Sequence, residues 1–230
     1  ATKAANDDGA NIRAQISLRG TGVLMTWRGT VHPFVMRPSW QAIAGKPWAE
    51  QLSTLRDPAF RAKLLAEDNL PPPHPDTAAL FMLVTQGWTM QFPLGEEPDY
   101  EPAPERSLAA LAKASGKSPA EVAYDVMMEG DGTGFVYLPI LNYVDGNLDF
   151  VKGLLERDDT VISLSDGGAH CGTICDAASP TFLLTHWVKG RARGRIPLAL
   201  AIKRQCRDTA LLYGLADRGL GLLLLDEDAL

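Results

Sequence analysis

Cysteine and histidine are scarce in this chain. Three cysteines (Cys171, Cys175, Cys206) and four histidines (His32, His74, His170, His186) occur among 230 residues. An odd, low cysteine count excludes a disulfide scaffold and points to a reduced, cytoplasmic setting. The histidines are scattered and form no His-x-His pair. Cys171-x-x-x-Cys175 is a lone pair of thiols, read as inert and buried rather than as zinc ligands. Long apolar runs are also missing, which leaves no candidate membrane span. The first ten residues lack a basic start followed by an apolar stretch, so no signal peptide is read there. Basic residues are not in excess: 22 Lys and Arg stand against 28 Asp and Glu, a net charge of −6. That balance argues against a nucleic-acid partner and an anionic membrane surface. No internal repeat or low-complexity tract is present.

What remains is ordinary globular composition, 46% hydrophobic and 22% charged. The length suits one large domain or two small ones, and residues 1–230 are read as one, with no second domain evident. Ile12 to Leu18 alternates apolar and polar, a strand pattern that ends at Arg19-Gly20. Trp40 to Glu67 is helical, with Asp57 as an N-cap before Pro58. Leu70 to Pro75 is a stiff connector. Ala79 to Thr85 reads as a buried strand. Ser107 caps a helix that ends near Gly116. Ser118-Pro119-Ala120-Glu121 is a capping box for the next helix, with Val122, Val126 and Met127 inward. Phe135 to Leu141 is an apolar strand closed by Asn142-Tyr143. Asn147 caps a short helix with Phe150, Leu154 and Leu155 inward, and Thr160 to Ser165 is a further strand. Helices open at Ser179-Pro180 and Pro197. Helix and strand alternate with short links, which predicts a βαβ unit of adjacent parallel strands over Phe135–Ser165. Asn142 and Asp166 then share its C-terminal edge. About four strands are countable, fewer than the eight of a closed (β/α) barrel.

The most informative stretch is Ser163-Leu164-Ser165-Asp166-Gly167-Gly168-Ala169-His170. A carboxylate followed by two glycines after a buried strand lets ligand and backbone approach closely. In (β/α) folds, catalytic groups sit at that strand end. Asp-Gly is also a common turn, so the structural alternative stays open. His170 either faces the site or bonds its own loop. Arg19, at a strand end, suits a bidentate grip on a substrate carboxylate, with a surface ion pair as the plainer alternative. His32, before Pro33, either lines a pocket or shapes a turn. His186, beside Trp187, is read as structural.

Ser163 through Asp176 resembles the last catalytic strand of the N-acyl-D-amino-acid deacylase (D-aminoacylase) group of the amidohydrolase superfamily. Further segments fit the same group: Thr30-Val31-His32-Pro33-Phe34, Asn142-Tyr143 with Gly146-Asn147-Leu148-Asp149, Leu184-Thr185-His186-Trp187, and Arg207-Asp208-Thr209-Ala210 with Tyr213-Gly214-Leu215 and Asp217-Arg218-Gly219. The resemblance runs from about Ala14 to the C-terminus. It implies an α/β, TIM-barrel-like fold, of which this chain is the C-terminal barrel portion. It also implies zinc-assisted hydrolysis of a non-peptide amide, N-acyl-D-amino acid to D-amino acid plus carboxylate. Asp166 matches the catalytic base, and Arg19, Asn142, Tyr143, Gly167, Gly168 and His170 are candidate substrate-binding residues. Two departures stand out. The His-x-His pair that supplies the family's zinc ligands is absent, so no metal ligand is assigned and no stoichiometric zinc is expected in this chain. After Asp217-Arg218-Gly219 the family's glycine- and proline-bearing turn gives way to a leucine run. The alternatives are an inactive barrel fragment that needs a partner (the N-terminal barrel portion or a second copy) and a cyclic-amide amidohydrolase.

Overall fold

The structure is a computed structural model that describes residues 2–143, 145–163, 172–173 and 177–219. In chain order the elements begin with α1 (Thr2–Asp7), β1 (Ala14–Ile16) and β2 (Thr21–Met25). Next come α2 (Pro38–Gln41), α3 (Trp48–Leu55), α4 (Pro58–Ala66), α5 (Ala78–Gln86) and β3 (Phe92–Pro93). They are followed by α6 (Leu108–Ser115), α7 (Pro119–Gly132), β4 (Val136–Leu141), α8 (Asp149–Leu155) and β5 (Thr160–Ile162). The last are α9 (Ser179–Phe182), α10 (Leu198–Ile202) and α11 (Thr209–Leu212). Helix α9 runs on as π-type turns over Leu183–Gly190, and α10 does so over Lys203–Asp208.

Among the described residues this is a mixed α/β structure with two small open sheets. One pairs β1 with β5; the other has the order β2-β4-β3. By Cα proximity the chain divides into two compact units. The first takes in Ala1–Thr21, Asn142–Ala169 and Cys175–Leu230; the second takes in Gly22–Leu141 and His170–Ile174.

Local capping signals translate directly into helix starts. The Asp57 carboxylate accepts from the Ala59 amide at 2.9 Å, opening α4 at Pro58. Ser107 Oγ accepts from Ala110 N at the start of α6, which stops at Gly116 with φ of +69°. Glycine takes that left-handed conformation without a Cβ clash. At α7 the capping box is complete: Glu121 N donates to Ser118 Oγ, and Ser118 N donates to the Glu121 carboxylate. Val122, Val126 and Met127 are buried, as the 3.6-residue period requires.

Three expectations need correction. The stretch read as a strand at Ala79–Thr85 is helix α5. A short apolar run carries no period that separates strand from buried helix, and Leu, Phe and Met tolerate either. Phe150 is not inward but 63% exposed; Val151 and Leu155 carry the buried face of α8. The βαβ unit is not formed as adjacent strands either, because β4 and β5 lie in different sheets. Asn142 immediately after β4 has φ of +65°. That left-handed residue ends the extended path, and β5 pairs instead with the N-terminal strand. Five strands, rather than four, occur among the described residues.

In the second unit a continuous apolar core gathers Val23, Met25, Trp27, Phe34, Leu55, Leu64, Met127 and Leu138 among others. Strand β2 approaches β4 so closely that a Cβ on Gly22 would lie 2.1 Å from Leu138 O. Only glycine fits there.

Candidate functional site

In the first unit, β1 and β5 run parallel in the register Ala14↔Thr160, Gln15↔Val161, Ile16↔Ile162. The ladder continues one residue further, where Ser163 N donates to Ile16 O at 2.9 Å and Ser163 Oγ donates to the same oxygen at 3.1 Å. Parallel strands bring their C-terminal ends to one edge. At that edge β1 leads into Arg19, and β5 leads into Ser163, the first residue of the Asp166 motif. Asp166, Gly167, Gly168 and His170 lie outside the described residues.

The Arg19 segment is held from two sides. Ser17 Oγ donates to Arg19 O at 3.0 Å. Trp187 Nε1 donates to Leu18 O at 2.8 Å, and Trp187 is fully buried. Arg19 itself is 3% exposed. The Arg191 guanidinium lies 4.7 Å from the Trp187 ring centre and bonds the Asp149 carboxylate at 2.6 Å. Asp149 N in turn donates to Asn147 Oδ1 at 2.9 Å. So the segments Asn147-Leu148-Asp149 and His186-Trp187 are joined by one charge-assisted network that also fixes the backbone before Arg19. His186 stacks on Phe182, with ring centres 4.5 Å apart. Asn142 takes its left-handed turn and Tyr143 is buried, its carbonyl accepting from Gly146 N. Arg204, 2% exposed, bonds Asp208 and Leu155 O, while Lys203 reaches the same Asp208 carboxylate. Arg207 holds the carbonyls of Ala216 and Arg218.

In the second unit the far end of the Asp166 motif meets the His32 segment. Thr30 N donates to Gly172 O at 2.9 Å, and Leu24 N donates to Thr173 O at 2.7 Å. Next to Thr30 opens a cavity of about 410 Å³ whose wall includes Trp27, Trp40 and Trp48, with Arg28 and Lys46 at its rim. Sequence reasoning missed it. The available signal was the clustering of three of the five tryptophans between 27 and 48, flanked by two cations.

His32 is fully buried among these rings. Its ring centre lies 4.4 Å from that of Trp40, at right angles, and 5.2 Å from that of Trp27. Burial without a carboxylate partner drives its pKa down to about 3, so the ring is neutral. Nδ1 accepts from Phe34 N at 3.2 Å, which puts the hydrogen on Nε2. Nε2 has no hydrogen-bond partner among the described residues. His32 therefore shapes the turn before Phe34.

That arrangement also bears on zinc. A ligating imidazole must offer a lone pair, and His32 has committed its acceptor nitrogen to Phe34. Among the described residues no group of three or more His, Cys, Asp or Glu is placed to hold a metal ion. The described residues thus do not fit the implied zinc, and no chemical step is routed through it. No helix among them is long and apolar enough to cross a membrane. No protein family, curated protein or solved structure matches the chain.

Proposed function

We propose that the chain is the C-terminal barrel portion of an amidohydrolase that cleaves N-acyl-D-amino acids to a D-amino acid and a carboxylate. The observation that carries the reading is the parallel β1–β5 pair, whose shared C-terminal edge leads into Arg19 on one strand and into the Asp166 motif on the other. In (β/α) folds that edge is where chemistry is done.

In this reading Asp166 is the general base. It takes a proton from the attacking water as the water oxygen bonds to the amide carbon, then delivers that proton to the leaving nitrogen as the C–N bond breaks. An ionised carboxylate suits both transfers. Arg19 is assigned to the substrate carboxylate, and Asn142, Tyr143, Gly167, Gly168 and His170 are the remaining residues assigned to substrate binding. The Asp149–Arg191–Trp187 network, with Arg191 and Trp187 buried and Asp149 exposed, positions the strand end. Zinc belongs to the reading by resemblance alone, with its ligands supplied from outside the described residues. A reduced, cytoplasmic setting goes with it as part of the same reading.

One observation favours a second reading, in which the site is completed only with a partner chain. Among the described residues the β1–β5 sheet has two strands of three residues each, and a sheet that small needs further strands or packed helices to be stable. The test is turnover of N-acetyl-D-amino acids, their L-enantiomers and a cyclic amide, scored by release of free amine. The first reading expects D-selective release. Release only after mixing with a second chain supports the partner reading, and turnover of the cyclic amide alone overturns both.

A further inference from the structure

We infer that the tryptophan-walled cavity of the second unit is a binding site for a small organic carboxylate with a flat aromatic body. Three features support it. The first is the wall: Trp27 and Trp40 are buried at 1% and 5% exposure, and Trp48 is half-buried. Indole faces hold a planar apolar group well. The second is charge. Arg28 and Lys46 stand at the rim, and no Asp or Glu contributes to the wall. Such a field attracts an anion and repels a cation. The third is an orphaned donor. Trp27 Nε1 is buried with no acceptor among the described residues, and a buried N–H without a partner is costly until something accepts from it.

The rim is built rather than incidental. Gln51 Nε2 donates to Ala44 O at 2.9 Å and to Lys46 O at 2.7 Å, pinning the loop that carries Lys46. Gln41 Nε2 donates to Val35 O at 2.5 Å, joining two further wall residues. Gly29 N donates to Thr26 O, and Thr30 N donates to Gly172 O. The Arg28 guanidinium rests 5.8 Å from the Trp48 ring centre, within reach of both the ring and the opening. A carboxylate between Arg28 and Lys46 would make charge-assisted bonds while its ring lies against Trp40 and Trp48. The proposed hydrolase supplies only the name of the natural ligand, an N-acyl amino acid with an aromatic side chain. Binding itself stands on the cavity.

The experiment is a titration of the whole chain with 3-phenylpropionate, followed by tryptophan fluorescence and calorimetry. Its neutral analogue 3-phenylpropionamide is the control. A fragment of this size should saturate with a dissociation constant on the order of 1 mM. The amide should bind about tenfold more weakly, and Arg28→Gln or Lys46→Gln should cost the carboxylate several-fold, roughly the worth of one exposed charge-assisted bond. Ala44→Trp, a filling change at an exposed wall position, should abolish binding while circular dichroism stays unchanged. No saturable binding, equal binding of the amide, or full binding by Ala44→Trp overturns the inference. Asp166→Asn separates this from the catalytic reading. It should bind 3-phenylpropionate normally, so lost turnover with intact binding supports both, and lost binding refutes the separate cavity.

Discussion

His32 offers the sharpest test of the second unit's core. Its folded-state pKa, about 3, lies below the ordinary 6.5 of an exposed histidine. The unfolded chain therefore takes up the proton first as pH falls. Stability is unaffected above pH ~6.5 and declines from there toward about pH 3, by about 1.4 kcal/mol for each pH unit. At pH ~4.5 the loss attributable to this one group is roughly 3 kcal/mol, a large part of a typical domain's 5–15 kcal/mol. His32→Phe keeps a ring between Trp27 and Trp40 but has no titrating nitrogen. It also leaves Phe34 N without its acceptor, a constant cost of about 1–3 kcal/mol at every pH. The two effects separate cleanly: the variant is weaker at neutral pH but has a shallower pH dependence. Urea unfolding read by tryptophan fluorescence, near pH 7 and near pH 4.5, measures both. Equal losses between the two pH values for the wild type and His32→Phe would refute the reasoning, as would a histidine at this position titrating near 6.5 by NMR.

Other outcomes follow from buried polar groups. Tyr124 donates its hydroxyl to Leu55 O, and burial raises its pKa to about 12, so it stays neutral to higher pH than the unfolded side chain. The stability this provides is present below pH ~10 and is lost as pH rises toward 12. Tyr124→Phe should cost about 1–2 kcal/mol at neutral pH and abolish that alkaline loss, both measurable by urea unfolding. Asp208→Asn leaves the buried Arg204 guanidinium with only the exposed carboxylate of Asp158, 3.6 Å away, and should lower stability by about 3 kcal/mol, seen as a drop in Tm with little change in far-ultraviolet circular dichroism.

The helix starts were legible because they depend on neighbours two or three residues away. Asp57, Ser107 and Ser118 each cap a helix with an adjacent amide, and no distant contact competes. Strand partners were not legible. The pairing of β5 with β1 joins residues almost 150 positions apart, and the sequence from Phe135 to Ser165 carries no signal against the local β4–β5 alternative. Helix α5 was misread because its nine residues are nearly all apolar, which erases periodicity. At the candidate site, β5 ends at Ile162, just before the Asp166 motif begins, while β1 ends at Ile16, three residues short of Arg19 and two short of the strand end expected at Leu18. The roles of Asp149, Arg191 and Trp187 as one network were hidden, since only the fold brings them together. The tryptophan cavity was written in the spacing of Trp27, Trp40 and Trp48, but a cluster of aromatics reads equally well as plain core until a wall and an opening are seen.

Asp166→Asn tests the central claim most directly. Asparagine keeps the size of the side chain and cannot accept the water's proton. In the enzyme completed by the N-terminal barrel portion, with N-acetyl-D-amino acid as substrate, kcat should fall by about 10²–10⁴-fold while circular dichroism and zinc content match those of the unsubstituted enzyme. An unchanged kcat would contradict the account, reducing the Ser163–His170 motif to a turn.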